Sequence, residues 1–379
     1  MKILLIGEYY SENLGDPLLC KVVQSTIIKQ YPGATVIPLD MSGKVEMTAY
    51  YSPKGYNFYQ KVFLKCSEKF KRIFCHNAVF RAYLSDQQRY IRTICHLEEL
   101  LKKNEFDLAI FAGGSLFMDY FAAIVYCIVR ILLRKKVKVI FHACGMSELS
   151  ADSIAILKKA FNQRNVQSIS LRDSYSKFCK MFQIRAKVSE TYDTALICRK
   201  YFAASEDKVA EYGVGIINLP QFFEFQKEMV EYFINEKKSF MIITNGATYD
   251  YDFALKILKE LGVPKEERSN YIYRRPTTPE ELVYEITSFK YLVSFRMHSQ
   301  IVAASFGIPS IGFVWDNKLK EFYEKMGLSD NAAIPIGKFE DKFKIDTLDI
   351  NRDDLSDKAC IEGTSSQQCL INSINDVVC

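Results

Sequence analysis

The sequence predicts an α/β protein made of two Rossmann-like blocks of parallel sheet that face a central cleft. Three observations carry that prediction. Short runs such as KILLIG at 2–7 are apolar throughout instead of alternating, the pattern of strands buried on both faces. These runs alternate along the chain with segments of helical spacing, which implies parallel strands joined by right-handed crossovers. The alternation occurs twice, on either side of a polar stretch near 200–211 that contains AASEDK. A chain of 379 residues is also too long for one core and fits two domains. The expected division is an N-terminal domain over 1–205, a C-terminal domain over 206–335, and a tail over 336–379.

The elements follow in order. Lys2 to Gly7 is the first strand, closed by glycine. The loop EYYSENLGDP leads to a helix from Leu18 to Gln30, and Thr35 to Leu39 is the second strand. Residues 43–105 are rich in Lys, Arg, Tyr and Phe with helical periodicity in pieces and no clear strand. They read as a helical insertion or a flap. Strand and helix then alternate: Asp107 to Ala112, ending in Gly113-Gly114-Ser115; a helix from Phe121 to Leu133; Val137 to Phe141, ending in His142; a helix from Asp152 to Phe161; Ser168 to Leu171, ending at Arg172-Asp173; a helix over Ser174 to Phe182, capped by Ser174 or Asp173; and Lys187 to Glu190. The second block begins with a strand at Gly213 to Leu219 and a helix at Phe222 to Asn235. Strands at Ser239 to Thr244, Tyr271 to Tyr273, Tyr291 to Phe295 and Ser310 to Phe313 follow. Helices at Asp252 to Leu261, Pro279 to Ser288, Ser299 to Phe306 and Leu319 to Met326 lie between and after them. A last helix near Gln367 to Val378 can pack back on either domain.

Composition narrows the functional classes. Apolar residues make up 49% and charged residues 25%, which argues against disorder. A net charge of +5 is too small for a nucleic-acid signature and suits an anionic small substrate or a loose approach to an anionic membrane. The eleven cysteines are odd in number, scattered and free of CxxC pairs, so they read as reduced thiols of a cytoplasmic protein. Cys75-His76 and Cys95-His96 have no companion ligands and read as structural, so no metal is expected. MKILLIGEYY has too short an apolar core for a signal peptide, and Phe121 to Leu133 is too short to span a bilayer.

Chemistry-bearing residues recur just after strands, where an open α/β sheet presents its ligand. Asn13, Gly15 and Asp16 follow the first strand, and Gly113, Gly114 and Ser115 follow the next strong one. His142, Arg172, Asp193, Arg296 and His298 repeat the pattern. Gly113-Gly114-Ser115 allows close backbone approach to an anion, yet it matches neither a P-loop nor GxGxxG, and a plain strand-to-helix turn explains it equally well. His142 reads first as a loop-orienting residue, with an acceptor contact as the alternative. Arg172-Asp173 is either a pair at a helix start or a ligand contact. Arg296-Met297-His298 is more pointed. A guanidinium grips phosphate or carboxylate, an imidazole transfers protons near neutrality, and residues two apart in extended backbone share a side. Its bland alternative is a helix turn with a solvated arginine and a packed histidine. Lys318 follows a further strand and adds a third cation, with Asn317 as the expected helix cap. The set is cationic and suits a small, multiply charged anion.

Four stretches give these residues a family likeness: GEYYSENLGDPLL, IFAGGSLFMD, SISLRDSYS and VSFRMHSQIVAASFGIPSIGFVWDNK. In this order they resemble the polysaccharide pyruvyl transferase family. The resemblance implies a GT-B-like fold and transfer of pyruvate from phosphoenolpyruvate to a sugar as a cyclic ketal, with release of phosphate. It implies no cofactor beyond phosphoenolpyruvate as co-substrate. It assigns donor binding and catalysis to Arg172, Arg296 and His298, and matches Asp16 to the family's acidic Gly-Asp residue. Ala112, Met297 and Thr194 stand where the family often has glycine, leucine and proline.

On this reading His298 is the catalytic acid and Asp16 the base or hydroxyl-orienting group. Arg172, Arg296 and Lys318 bind the donor, with Gly113, Gly114 and Ser115 in support. Asn13, His142 and Asp193 are candidate acceptor-binding or loop-orienting residues. The acceptor is a sugar of a surface polysaccharide, free or lipid-linked. The basic, aromatic stretch from Tyr50 to Arg92 is either a peripheral membrane-facing surface or a solvated helical face. Two rival readings remain: a nucleotide-sugar-dependent glycosyltransferase on the same fold, lacking a convincing ribose-binding glutamate at Glu321 or Glu324, and a non-catalytic sugar- or anion-binding module. A dinucleotide oxidoreductase is disfavoured, because ENLGD stands where GxGxxG would be.

Overall fold

Two parallel sheets organise the chain in the computed structural model, which describes residues 1–52, 87–328, 332–336 and 352–378. The chain divides into two compact units. One comprises Met1–Ser11, Leu19–Tyr192 and Ser366–Cys379; the other comprises Glu12–Leu18 and Asp193–Ser365. The short Glu12–Leu18 segment therefore packs with the second unit although it follows the first strand.

The first unit holds a six-stranded sheet in the order β2-β1-β5-β6-β7-β8. Its strands are β1 (Lys2–Gly7), β2 (Thr35–Asp40), β5 (Leu108–Phe117), β6 (Lys138–Met146), β7 (Val166–Leu171) and β8 (Lys187–Glu190). All pair in parallel. The strand order reverses between β1 and β5, so the loops after those two strands flank the switch point where such sheets bind ligands. From β1 through β6 the central positions are buried, as uniformly apolar runs require. Phe111, Phe117, Phe141, Phe161 and Phe178 form a continuous aromatic core beneath the sheet. Each such ring contributes roughly 1.5–3 kcal/mol through the water it leaves.

The second unit repeats the design with five parallel strands in the order β10-β9-β11-β12-β13. These are β9 (Ala210–Gly215), β10 (Phe240–Ile243), β11 (Phe289–Ser294), β12 (Ser310–Val314) and β13 (Ala333–Pro335). The short strand expected at Tyr271 to Tyr273 is reduced to a single parallel bridge, from Ile272 to Ile242 of β10. The switch point of this sheet lies between β9 and β11, and Arg296 follows β11 in sequence. Phe225, Phe295 and Phe313 pack edge-on and tilted in its core.

Several local expectations are corrected. β5 does not stop at Ala112 but runs through Gly113-Gly114-Ser115 to Phe117, pairing onward with β6 at Gly114–Cys144 and Phe117–Met146. Gly113 and Gly114 adopt φ of +67° and +75°, which bends the strand without ending it. β6 likewise continues past His142 to Met146. The 43–105 stretch, expected to lack strands, contains a hairpin of β3 (Lys44–Glu46) and β4 (Ala49–Tyr50), and then a helix at Gln87–Lys103. Most of the proposed membrane-facing stretch lies outside the described residues. Helix 317–325 is capped by Asp316, not Asn317; the Asp316 side chain accepts from the Leu319 amide at 3.0 Å. Neither Ser174 nor Asp173 caps helix 175–181: Ser174 is left-handed with no capping bond, and Asp173 accepts instead from the Met146 amide. The tail helix is longer than expected, Arg352–Val378.

Candidate active site

The N-terminal motif and the Arg-x-His motif meet within the second unit. Helix 15–30 begins at Gly15, and helix 297–305 begins at Met297. His298 therefore sits in the first turn of a helix, not in extended backbone. The expectation that Arg296 and His298 share a strand face gives way to a cap-and-helix arrangement, with Arg296 as the extended N-cap. His298 is largely buried and lies against the backbone of Gly15. A β-carbon on Gly15 would stand 2.2 Å from His298 Nδ1 and 2.5 Å from its Cβ. Glycine at this position is thus a steric condition for the imidazole's placement. On the same segment the Asn13 amide donates to Asp16 Oδ2 at 2.9 Å. That bond orients the carboxylate one residue beyond the glycine.

The loop after β11 is pinned from several sides. The Trp315 indole donates to the Phe295 carbonyl at 2.7 Å. The Gln300 amide donates to the carbonyls of Ser294 and Ile311, and its oxygen accepts from the Tyr323 hydroxyl. The Ser299 hydroxyl donates to Asn245 Oδ1 at 2.6 Å, while the Asn245 carbonyl accepts from the Leu14 amide at 2.8 Å. Asn245 therefore ties the Glu12–Leu18 segment to the His298 helix. Its Nδ2 is buried without a hydrogen-bond partner among the described residues, a donor available to an oxygen ligand.

Arg296 is not a bare charge. Its guanidinium is paired to Asp250, a fully buried carboxylate whose other oxygen accepts from the Asn218 amide at 2.8 Å. Arg296 Nε lies buried without a partner among the described residues. One edge of the guanidinium is fixed by Asp250, and Nε still has a hydrogen bond to donate. Lys318 lies in the first turn of helix 317–325 and is half-buried. Asp193, a candidate for acceptor binding or loop orientation, caps the short helix Thr194–Lys200 by accepting from the Ala195 amide at 2.9 Å.

The first unit holds the remaining candidates. Arg172 is buried at the end of β7. Its Nε lies 3.4 Å from Asp173 Oδ2, and its Nη2 lies 3.4 Å from Ser115 Oγ. Gly145 makes room for the pair, since a β-carbon there would fall 2.5 Å from Asp173 Oδ2 and 3.1 Å from Arg172 Nε. Arg172 and Ser115 are thus brought together, while Gly113 and Gly114 form the strand bend beside them. His142 is fully buried with Nδ1 3.2 Å from Ser170 Oγ, which in turn accepts from the Ala143 amide. That contact fits the loop-orienting alternative. Burial drives the neighbouring Cys144 thiol upward in pKa, which makes it a poor nucleophile.

Sequence reasoning overlooked Asn245, Asp250, Ser299, Gln300 and Trp315. Asn245 follows β10, so the same strand-end rule that selected the others would have selected it. Asp250 leaves no such trace, because its importance arises only from its partner.

The family model for polysaccharide pyruvyl transferase matches residues 13–317, from the Asn13 motif to the residue before Lys318. The chain belongs to the polysaccharide pyruvyl transferase family. The family is one of transferases, and a polysaccharide-modifying family implies a sugar acceptor. Solved structures agree on the fold. A UDP-N-acetylglucosamine 2-epimerase from Rickettsia bellii matches with a TM-score of 0.54 at 10% identity, over 100% of this chain and 96% of that one. The Methanocaldococcus jannaschii UDP-GlcNAc 2-epimerase matches at 0.50 and 11% identity, over 99% of both chains. The S. aureus protein MnaA, solved with UDP, matches at 0.52 and 12% identity, over 97% of this chain and 90% of that one. At these identities the likeness extends to the two-Rossmann GT-B architecture alone. No curated protein matches the chain.

Proposed function

We propose that this family member transfers pyruvate from phosphoenolpyruvate to two hydroxyls of one sugar, forming a cyclic ketal and releasing phosphate. The observation that carries the reading is the seating of His298 on Gly15, beside Asp16, with Asn245 bonded to both the Leu14 amide and the Ser299 hydroxyl of the His298 helix. It joins the two family motifs that lie farthest apart in the sequence.

The reaction needs a proton on the methylene carbon of the donor. His298 gives that proton, and the alkene pair forms the new C–H bond, leaving an oxocarbenium-like C2. The first sugar hydroxyl adds its oxygen to C2, and its proton passes to Asp16 or back to the imidazole. Phosphate then departs with the C–O bonding pair. The second hydroxyl closes the ketal, and its proton leaves with the phosphate. An imidazole suits this sequence because its ordinary pKa lies near neutrality. Arg296 and Lys318 neutralise the donor's carboxylate and phosphate in the proposal. Arg296 is suited to a fixed role, because Asp250 restrains it before any ligand arrives.

The acceptor is free or lipid-linked, and the cytoplasm is the proposed site of action. Free thiols at Cys20, Cys127, Cys144 and Cys198 fit a reducing compartment, and among the described residues no helix is long and apolar enough to cross a membrane.

His298→Ala tests the assignment. Phosphate release should fall by about 10²–10⁴-fold, the usual contribution of a positioned acid, while phosphoenolpyruvate binding by calorimetry stays within a few-fold. Undiminished phosphate release from this variant would remove His298 from the chemistry.

A further inference from the structure

The candidate residues of the first unit lie toward the carboxyl ends of β5, β6 and β7. The opposite edge of that sheet carries charge of one sign. Three segments lead into β6, β7 and β8 from the helices Asp119–Arg134, Ala151–Phe161 and Tyr175–Met181. They cover residues 130–138, 157–166 and 178–188. Together they hold eleven Lys and Arg residues and no Asp or Glu, in a chain whose net charge is only +5. The rest of the chain is therefore net negative. All eleven cations are exposed. Among the described residues one of them is in an ion pair, Lys187 with Asp376.

Parallel pairing brings the three segments to one edge. Val139 of β6 pairs with Val166 of β7, and Ser168 of β7 pairs with Lys187 of β8. The segments also bond to one another. The Asn165 side-chain amide donates to the carbonyls of Val129 and Val137 at 3.3 and 3.1 Å. The Asn162 side-chain amide donates to the Gln183 carbonyl at 3.3 Å. Adjacent strands stand about 4.8 Å apart, so three of them hold these cations within roughly a Debye length of each other. Like charges at that spacing repel, and a facing anionic layer relieves the repulsion. A helix macrodipole favours a cation near its C-terminus, but its effect fades within the last turn. Lys136, Arg164 and Arg185 lie beyond their helices, and the macrodipole does not account for them.

The edge suits a lipid layer better than a nucleic acid strand. Among the described residues no exposed large apolar side chain lies in these segments, so no ring is offered for stacked bases. The cations are dispersed over three neighbouring loops, a pattern that a layer of anionic headgroups meets without specific geometry. We propose that this edge docks the protein on an anionic phospholipid surface, with the three loops against the headgroups. The candidate residues of the first unit sit at the other end of the same strands and face away from the lipid. The inference uses none of the residues assigned to pyruvyl transfer, and its readout is lipid binding, so the two fail separately.

The test is co-sedimentation of the full chain with two kinds of vesicle, phosphatidylcholine alone and phosphatidylcholine mixed with phosphatidylglycerol. Binding should appear only with phosphatidylglycerol, and should fall by about tenfold or more as salt rises from about 0.1 M to about 0.5 M. Each cation near such a surface is worth roughly a fivefold gain in partitioning. The triple variant Lys135→Gln, Lys136→Gln, Lys159→Gln should therefore bind on the order of 100-fold more weakly. The control Lys237→Gln, Lys259→Gln, Lys265→Gln removes the same charge from exposed positions of the second unit and should stay within a few-fold of the parent. Circular dichroism and melting establish that both variants are folded. Binding to neither vesicle, equal binding to both, an edge variant that binds like the parent, or a control that loses as much would each overturn the proposal. Tighter binding to duplex DNA or heparin than to the vesicles would assign the edge to an anionic polymer and overturn it too.

Discussion

At the scale of single residues, the account depends on what Gly15 leaves open. The imidazole of His298 occupies the space that any other side chain at position 15 would fill. Gly15→Ala puts a methyl group within 2.2 Å of Nδ1, so the ring must rotate or shift. A displacement of about 1 Å at a reacting group costs on the order of 10²-fold in rate. The expected result is a loss of that size in phosphate release, with a melting temperature close to the parent's, because alanine is a good helix former near a helix start. Activity within a few-fold of the parent would show that His298 needs no such seat. Glu285 makes a separate prediction through linkage. Its folded-state pKa is raised by burial, so the folded chain binds more protons than the unfolded one above the ordinary glutamate value of 4.5. Its contribution to stability is fully present below that value and is lost as pH climbs through the raised folded value. The parent's melting temperature should therefore fall more steeply between about pH 5 and pH 8 than that of Glu285→Gln. Parallel profiles would mean that Glu285 ionises in the fold as freely as in the unfolded chain.

At the scale of elements, the sequence was most legible where one physical signal dominated. KILLIG and the apolar runs of β11 and β12 were readable because strands buried on both faces must be apolar. The ends were less legible. β5 and β6 run on past their glycines because neighbouring strands continue to pair there, and pairing is a property of two segments. The caps show the same limit: Asp173 has the right residue type for a cap, yet the Met146 amide claims its carboxylate. The site followed this pattern. Arg296 and His298 stood out by type and position, whereas Asp250 and Asn245 acquire their roles only through tertiary bonds.

The tail helix is legible in retrospect as a stripe. Leu355, Ala359, Gly363, Ser366, Leu370, Ile374 and Val377 recur at intervals of three and four, as one face of a helix demands. Gly363 is the tight point, where an added β-carbon would meet Ile197 Cγ2 at 2.6 Å and Leu196 Cβ at 2.9 Å. Gly363→Val should destabilise the protein by about 1–3 kcal/mol through overpacking, despite removing a helix-weakening glycine. Thermal denaturation checks it; an unchanged or higher melting temperature would show that the helix has room to move away from Ile197.

At the scale of the whole molecule, two parallel sheets of related strand order present the candidate residues on loops that follow their strands. That architecture was legible from the alternation of apolar runs and helical segments. The contact pattern that places Glu12–Leu18 with the second unit was not, because it departs from chain order. The architecture does not choose the reaction, since epimerases share it. The family and the His298 cluster do narrow the choice. The most direct test is to incubate the full chain with phosphoenolpyruvate or UDP-sugars and a panel of free and lipid-linked galactose, mannose and amino-sugar acceptors. Inorganic phosphate and nucleoside diphosphate are then measured together. The account predicts acceptor-dependent phosphate release from phosphoenolpyruvate, with a pyruvate ketal on the sugar and no nucleoside diphosphate. Acceptor-dependent release of nucleoside diphosphate, with phosphoenolpyruvate left intact, would contradict it.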